Sequence, residues 1–145
     1  MELEVKPLLT GEELYKLIPQ RSPIVMVDTF FQANTDGADT GLHITSNNLF
    51  LKNEVLQECG LIEHVAQSAA AFAGYIPYTQ GEQPKLGFIG EVKKFKIEHL
   101  PQTGDFIRTH LQVLGEAAGV TLIKAETTCQ GRTIATGQMK IFIKE

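Results

Sequence analysis

Residues 55–75 read VLQECGLIEHVAQSAAAFAGY, and the fold depends on how this stretch is read. It predicts a helix of about five turns, roughly 30 Å long at 1.5 Å per residue. Val55, Leu56, Leu61, Ile62, Val65, Ala66, Ala69, Ala70, Phe72 and Ala73 leave it almost no polar side. A helix apolar all round belongs inside a protein, and the polar residues that interrupt this one argue against a membrane span. Glu63 and Gln67 lie four residues apart and so share a face. An ionised carboxylate in a buried helix is costly without a partner. That conflict between position and chemistry singles out Glu63 as the first candidate for function.

Outward from this helix, the N-terminal side offers a short helix at Thr10–Leu17, with Thr10 as N-cap, Glu13 as its capping-box partner and Pro19 as its end. Ile24–Phe31 predicts a strand that starts apolar on both faces and is therefore central. Asn34–Asp39 predicts a turn, and Leu42 and Ile44 mark a second strand. Asn47–Asn53 is a loop into the long helix, with Asn53 as its cap. On the C-terminal side Pro77–Pro84 is a polar loop. From Lys85 the pattern has period two, but Val92 does not share parity with Phe95 and Ile97, which predicts a bulge near Lys93–Lys94. Turns at Leu100–Asp105, Gly115–Gly119 and Gln130–Gly131 separate strands whose inward residues are Ile107, Thr109, Leu111 and Val113, then Ile123, Ala125, Thr127 and Cys129, then Ala135, Met139, Ile141 and Ile143. Consecutive strands on short turns form an antiparallel sheet, so the fold class is α+β: one sheet against one long helix. One sheet cannot cover a helix that is apolar on every side, so a second copy of the chain is expected to complete a homodimer.

The chain has 145 residues, 43% apolar and 21% charged, with a net charge of −4. These values fit one globular domain over residues 1–145 and exclude a general attraction to nucleic acid or to an anionic membrane. Cys59 and Cys129 form no metal or redox spacing. Both are expected as reduced core residues, which, with an acidic rather than basic opening at Met1–Glu4, points to the cytoplasm.

The arrangement resembles the hot-dog fold, and within it the β-hydroxyacyl-acyl-carrier-protein dehydratases. Ile18-Pro-Gln-Arg-Ser-Pro-Ile-Val-Met-Val-Asp28 is similar to that family's leading segment Leu-Pro-His-Arg-x-Pro-x-Leu-Leu-Val-Asp. Glu63-His-Val-Ala-Gln67 is similar to its helix signature Glu-x-Met-Ala-Gln. Phe88-Ile-Gly90 resembles its aromatic-x-Gly strand, and Leu100–Asp105 its Pro-Gly-Asp turn. Two departures stand out. The family's catalytic histidine lies fourteen residues before the helix acid, where this chain has Leu49, and the histidine of the leading segment is Gln20 here. The first departure resembles a branch associated with aryl-polyene and related pigment pathways, which lacks the Gly-His-Phe loop and keeps the acid. This chain has lost the second histidine as well.

The resemblance implies a dehydratase-like protein acting on 3-hydroxyacyl-acyl-carrier-protein thioesters in fatty-acid or polyene-type biosynthesis, or on the corresponding coenzyme A thioesters. It implies Glu63 as the catalytic acid or base, with Gln67, Gly90, Gln20 and Phe88 as substrate-binding residues and an acyl chain running along the helix. No cofactor and no metal are expected, and the homodimer could assemble further or pair with a homologue. Two alternatives stand beside it: a hot-dog thioesterase whose lone acid activates water, and a non-catalytic acyl-binding subunit that pairs with an active dehydratase. Each candidate also has a plainer reading. Glu63 could be tied to a backbone amide or to Arg21, Gln67 could satisfy buried backbone, and Gly90 could mark a bend in the sheet. His64 lies about 100° around the helix from Glu63 and cannot face the same target in one subunit; a partnered core or surface histidine is expected, with action across the dimer interface as the alternative. Lys93, Lys94 and Lys96 form a basic cluster that could meet an acidic carrier or simply be a solvated edge.

Overall fold

The computed structural model describes residues 6–82 and 86–144, with side chains described for all of these except 86–88 and 143–144. In chain order the elements are β1 (Leu9–Thr10), α1 (Glu12–Tyr15), β2 (Thr29–Asn34), β3 (Gly37–His43), β4 (Leu51–Lys52), β5 (Val55–Leu56), α2 (Glu58–Thr79), β6 (Leu86–Ile97), β7 (Phe106–Ala117), β8 (Val120–Cys129) and β9 (Arg132–Lys144). Seven strands form one antiparallel sheet in the order β1-β2-β3-β7-β8-β9-β6. The 22-residue α2 packs against it, which is the hot-dog arrangement.

The inward residues of β7 and β8 alternate as the period-two pattern requires. Ile107, Thr109 and Leu111 are buried, as are Ile123, Ala125, Thr127 and Cys129. The core falls into two groups. Phe30, Val65, Ala69, Leu111, Ile123 and Met139 pack around the middle and far half of α2. Met26, Leu42, Leu56, Leu61, Ile107 and Ile134 pack at its near end. The bulge expected near Lys93–Lys94 is present: the β6–β9 register slips between Lys93 and Lys96, and Lys94 has φ 54°.

Several boundaries differ from expectation. The long helix begins at Glu58 rather than Val55, because Val55 and Leu56 pair with Lys52 and Leu51 in a small hairpin. Asn53 and Glu54 form the tip of that hairpin, both at positive φ, the geometry of a two-residue hairpin turn. Asn53 therefore caps nothing; Gln57 occupies the N-cap position. At its other end α2 continues through Pro77 to Thr79, where a loop was expected. The first helix is a single turn preceded by Gly11, with no side-chain cap, so the expected box of Thr10 and Glu13 does not form. The first long strand starts at Thr29; the segment before it is tied to α2 through Ile24 and Met26, and only at Asp28 does its backbone reach the sheet, donating to the Gly41 carbonyl at 3.0 Å. The β2–β3 turn is shorter than Asn34–Asp39, since Gly37 already pairs with Asn34, and β7 runs on to Ala117 before turning at Ala118–Gly119.

Candidate active site

Gln67 is fully buried on α2 and clasps the extended segment that precedes β2. Its Oε1 accepts from the Met26 N–H at 2.6 Å, while its Nε2 donates to the Ile24 carbonyl at 2.8 Å and to Glu63 Oε1 at 2.8 Å. Gln67 thus satisfies buried backbone, its plainer reading, and it also hydrogen-bonds the candidate acid, with both of its N–H groups taken. Glu63 is not sealed in the core as expected but only half-buried. Its carboxylate keeps an accessible side, which lowers the cost of its charge. It forms no ion pair with Arg21, whose Nη1 donates to the Ile18 and Gln20 carbonyls at 2.7 Å each.

The face of α2 around Glu63 holds Cys59, Ile62, Ala66 and Ala73, all exposed or half-exposed. Cys59 is thus an exposed thiol one turn before Glu63, not a core residue, whereas Cys129 is buried as expected. Among the described residues no three His, Cys, Asp or Glu side chains could hold a metal ion, and no helix is long and apolar enough to cross a membrane.

The other candidates separate. Gln20 is half-buried, and its Oε1 is buried with no partner among the described residues. Gly90 lies where the β6–β9 register slips between Ile89 and Glu91. A Cβ there would fall 1.8 Å from the Phe142 ring, so packing within the sheet accounts for this glycine. The backbone of Phe88 pairs with Phe142, but its side chain lies outside the described residues. Leu49, where the family's histidine would stand, is 56% exposed, and its neighbour Phe50 packs on Gly60 of α2. A cleft of about 320 Å³ lies between the far half of α2 and β7–β9, lined by Phe72, Ala73, Ile76, Val113, Ile123 and Ile141. At 100° per residue Phe72 and Ile76 are about 180° and 220° around the helix from Glu63 while Ala73 and Pro77 lie within about 80° of it, so the cleft is separated from the acid by its place along α2, nine residues and more beyond Glu63.

His64 is the residue whose part the sequence left open. It is fully buried, with Nδ1 2.7 Å from the Met26 carbonyl and Nε2 2.8 Å from Thr109 Oγ1. Burial, opposed by the Met26 hydrogen bond and by the charge of Asp28, lowers its pKa from 6.5 to about 4. The ring is therefore neutral at pH 7. Thr109 Oγ1 is 2.7 Å from Thr127 Oγ1, and Ser68 Oγ donates to the His64 carbonyl while accepting from Thr40 Oγ1, at 2.7 Å each. Thr109 and Thr127 had been legible as inward residues; the imidazole they lead to had not.

A seven-stranded antiparallel sheet against one long helix, with a half-open carboxylate held by a glutamine one turn away, defines a protein of the hot-dog dehydratase and thioesterase class. The sequence profile of the ApeP-like family, described as ApeP dehydratase, matches residues 12–145. The chain belongs to that family. A 3-hydroxyacyl-[acyl-carrier-protein] dehydratase FabZ from Ruminiclostridium cellulolyticum is 22% identical over 139 residues, covering 92% of this chain and 96% of the relative. Among solved structures, the dehydratase heterocomplex ApeI:P from Xenorhabdus doucetiae superposes with a TM-score of 0.83 at 15% identity, covering 91% of each chain. A hypothetical thioesterase with coenzyme A from Streptococcus pneumoniae superposes with a TM-score of 0.64 at 9% identity, covering 79% of this chain and 84% of that one.

Proposed function

We propose that the protein acts in dehydration of 3-hydroxyacyl thioesters carried on acyl carrier protein, with Glu63 as a proton-transfer group. The observation that carries this reading is the Glu63 carboxylate itself: accessible on one side, fixed by Gln67 on the other, and set within the family's helix signature. In the reaction a base removes a proton from C2, the C2=C3 bond forms, and the C3 hydroxyl leaves as water after an acid protonates it. Glu63 performs one of these transfers. Gln20 belongs to this reading as a substrate-binding residue, supported by an amide oxygen that has no partner among the described residues. Gln67 serves the acid, while Gly90 is accounted for by the Phe142 ring.

The purified protein is expected to convert a 3-hydroxyacyl thioester to the enoyl product. Glu63→Gln should lower turnover by about 10²–10⁴, the range for loss of a general acid or base. Equal turnover by wild type and Glu63→Gln would reject the assignment, and release of free thiol without enoyl product would move the protein to the thioesterase reading.

A second reading rests on a specific observation: neither Leu49 nor Gln20 can move a proton. The second proton-transfer group then comes from another chain, and the accessible face of α2 beside Glu63 is where a copy or a homologue would cover it. The ApeI:P neighbour is a heterocomplex, which supports this form of assembly. Turnover that appears only on mixing with a histidine-bearing homologue would favour it over the self-sufficient enzyme.

A further inference from the structure

The neutral imidazole of His64 can hydrogen-bond in only one way. A carbonyl only accepts, so Nδ1–H donates to the Met26 carbonyl at 2.7 Å. Nε2 then accepts from the Thr109 hydroxyl at 2.8 Å, and Thr109 in turn accepts from Thr127 at 2.7 Å. The same residue, Met26, donates its N–H to Gln67 Oε1 at 2.6 Å. Met26 is therefore held at its carbonyl by His64 and at its amide by Gln67, from two positions on one helix.

Gln67 has no freedom either. Its two N–H groups go to the Ile24 carbonyl and to Glu63 Oε1, at 2.8 Å each. Turning the amide over would set N–H against the Met26 N–H and oxygen against both a carbonyl and a carboxylate, so one orientation is fixed by its partners. An unbroken path of hydrogen bonds thus runs from the sheet at Thr127 and Thr109, through His64 and Met26, to Gln67 and the carboxylate of Glu63.

We infer that His64 is a positioning residue: acting through Met26 and Gln67, it holds the Glu63 carboxylate in one direction. This rests on the reading of Glu63 as the proton-transfer group. A buried network whose members are all satisfied is rigid, and a partly satisfied one is not. A misplacement of about 1 Å at a reacting group can cost on the order of 10²-fold in rate.

The test uses the full chain as wild type, Glu63→Gln, His64→Gln and the double variant, assayed on a 3-hydroxyacyl thioester with kcat and KM separated. His64→Gln should lower kcat by about 10- to 100-fold with KM within about twofold, and in the Glu63→Gln background it should cost nothing further. A kcat equal to wild type, or a loss that multiplies with that of Glu63→Gln, would overturn the inference. A readout independent of turnover is the side-chain amide pair of Gln67 in a ¹⁵N-labelled sample. It should shift and lose protection from exchange in His64→Gln but not in His110→Gln, a histidine paired with Asp39 on the other face of the sheet. An unmoved Gln67 amide in His64→Gln overturns the inference even if no thioester turns over. If wild type and Glu63→Gln turn over alike while the Gln67 amide responds to His64→Gln, the proposed function fails and the linkage stands. Should His64→Gln not fold, Thr109→Val removes only the hydroxyl that Nε2 accepts from, and a smaller change of the same kind is expected of it.

Discussion

Below pH 6.5 one buried imidazole should make a distinct contribution to how this protein responds to acid. Burial lowers the pKa of His64 to about 4, against the raising effects of the Met26 carbonyl and Asp28. Its folded value lies below its unfolded one, so between about pH 6.5 and 4 the unfolded chain binds more protons. The stability linked to His64 is complete above pH 6.5 and declines as the pH falls toward 4, by about 3 kcal/mol in all. Urea unfolding at pH 7 and pH 4.5 measures this: wild type should lose more stability than His64→Gln, in which no imidazole at this position must stay neutral. Carboxylate titrations common to both proteins cancel in the difference, and equal losses would contradict the account. At this scale the sequence was informative wherever spacing alone decides. Glu63 and Gln67 were legible as neighbours four apart on a helix, and His64 as facing elsewhere. What His64 meets was not legible, because Met26 and Thr109 lie 38 and 45 residues away in the chain. The half-buried state of Glu63 was missed for a related reason: the apolar residues around it do not reveal which face the sheet leaves uncovered.

The start of α2 depends on Gly60. A Cβ there would lie 2.7 Å from Phe50 Cβ and 2.9 Å from Leu56 Cδ1, so the β4–β5 hairpin and the loop before it close over the first helical turn. Gly60→Ala gains about 1 kcal/mol of helix propensity but forces Phe50 and Leu56 apart, at about 1–3 kcal/mol. The expected net effect is a loss of about 1 kcal/mol, read from the urea midpoint; a rise in stability would show that the hairpin yields freely. The same hairpin explains why the helix boundary was misplaced. Val55 and Leu56 are apolar and continue the helical pattern, and what breaks it is the turn at Asn53 and Glu54, whose positive φ values a periodicity does not register. At Lys94 the information was local: the change of parity between Val92 and Phe95 is itself the extra residue of a bulge, so the slip was visible in the order of side chains.

For the whole molecule, the order of elements was legible because each strand alternates and each turn is short, while the surroundings of α2 were not, since a single chain carries no record of what covers its helix. Cys59 turns this into a measurement. It is exposed beside Glu63, whereas Cys129 is buried. In dilute protein a thiol reagent should modify Cys59 and leave Cys129 untouched until unfolding. If a second copy covers this face, the Cys59 rate should fall over the concentration range in which sedimentation shows the mass doubling. A constant rate through that range would place the contact elsewhere. One property of the molecule follows from the hydroxyls beneath the helix. Thr40, Ser68, Thr109 and Thr127, with the ring between them, act like the teeth of a key. A turn of α2 about its own axis by one residue, about 100°, would break at once the two bonds that cross from helix to strands, Thr40 to Ser68 and Thr109 to the ring. Oily neighbours can be exchanged around such a helix, yet its azimuth stays indexed to the strands, and the acid emerges at the same hour of the clock face.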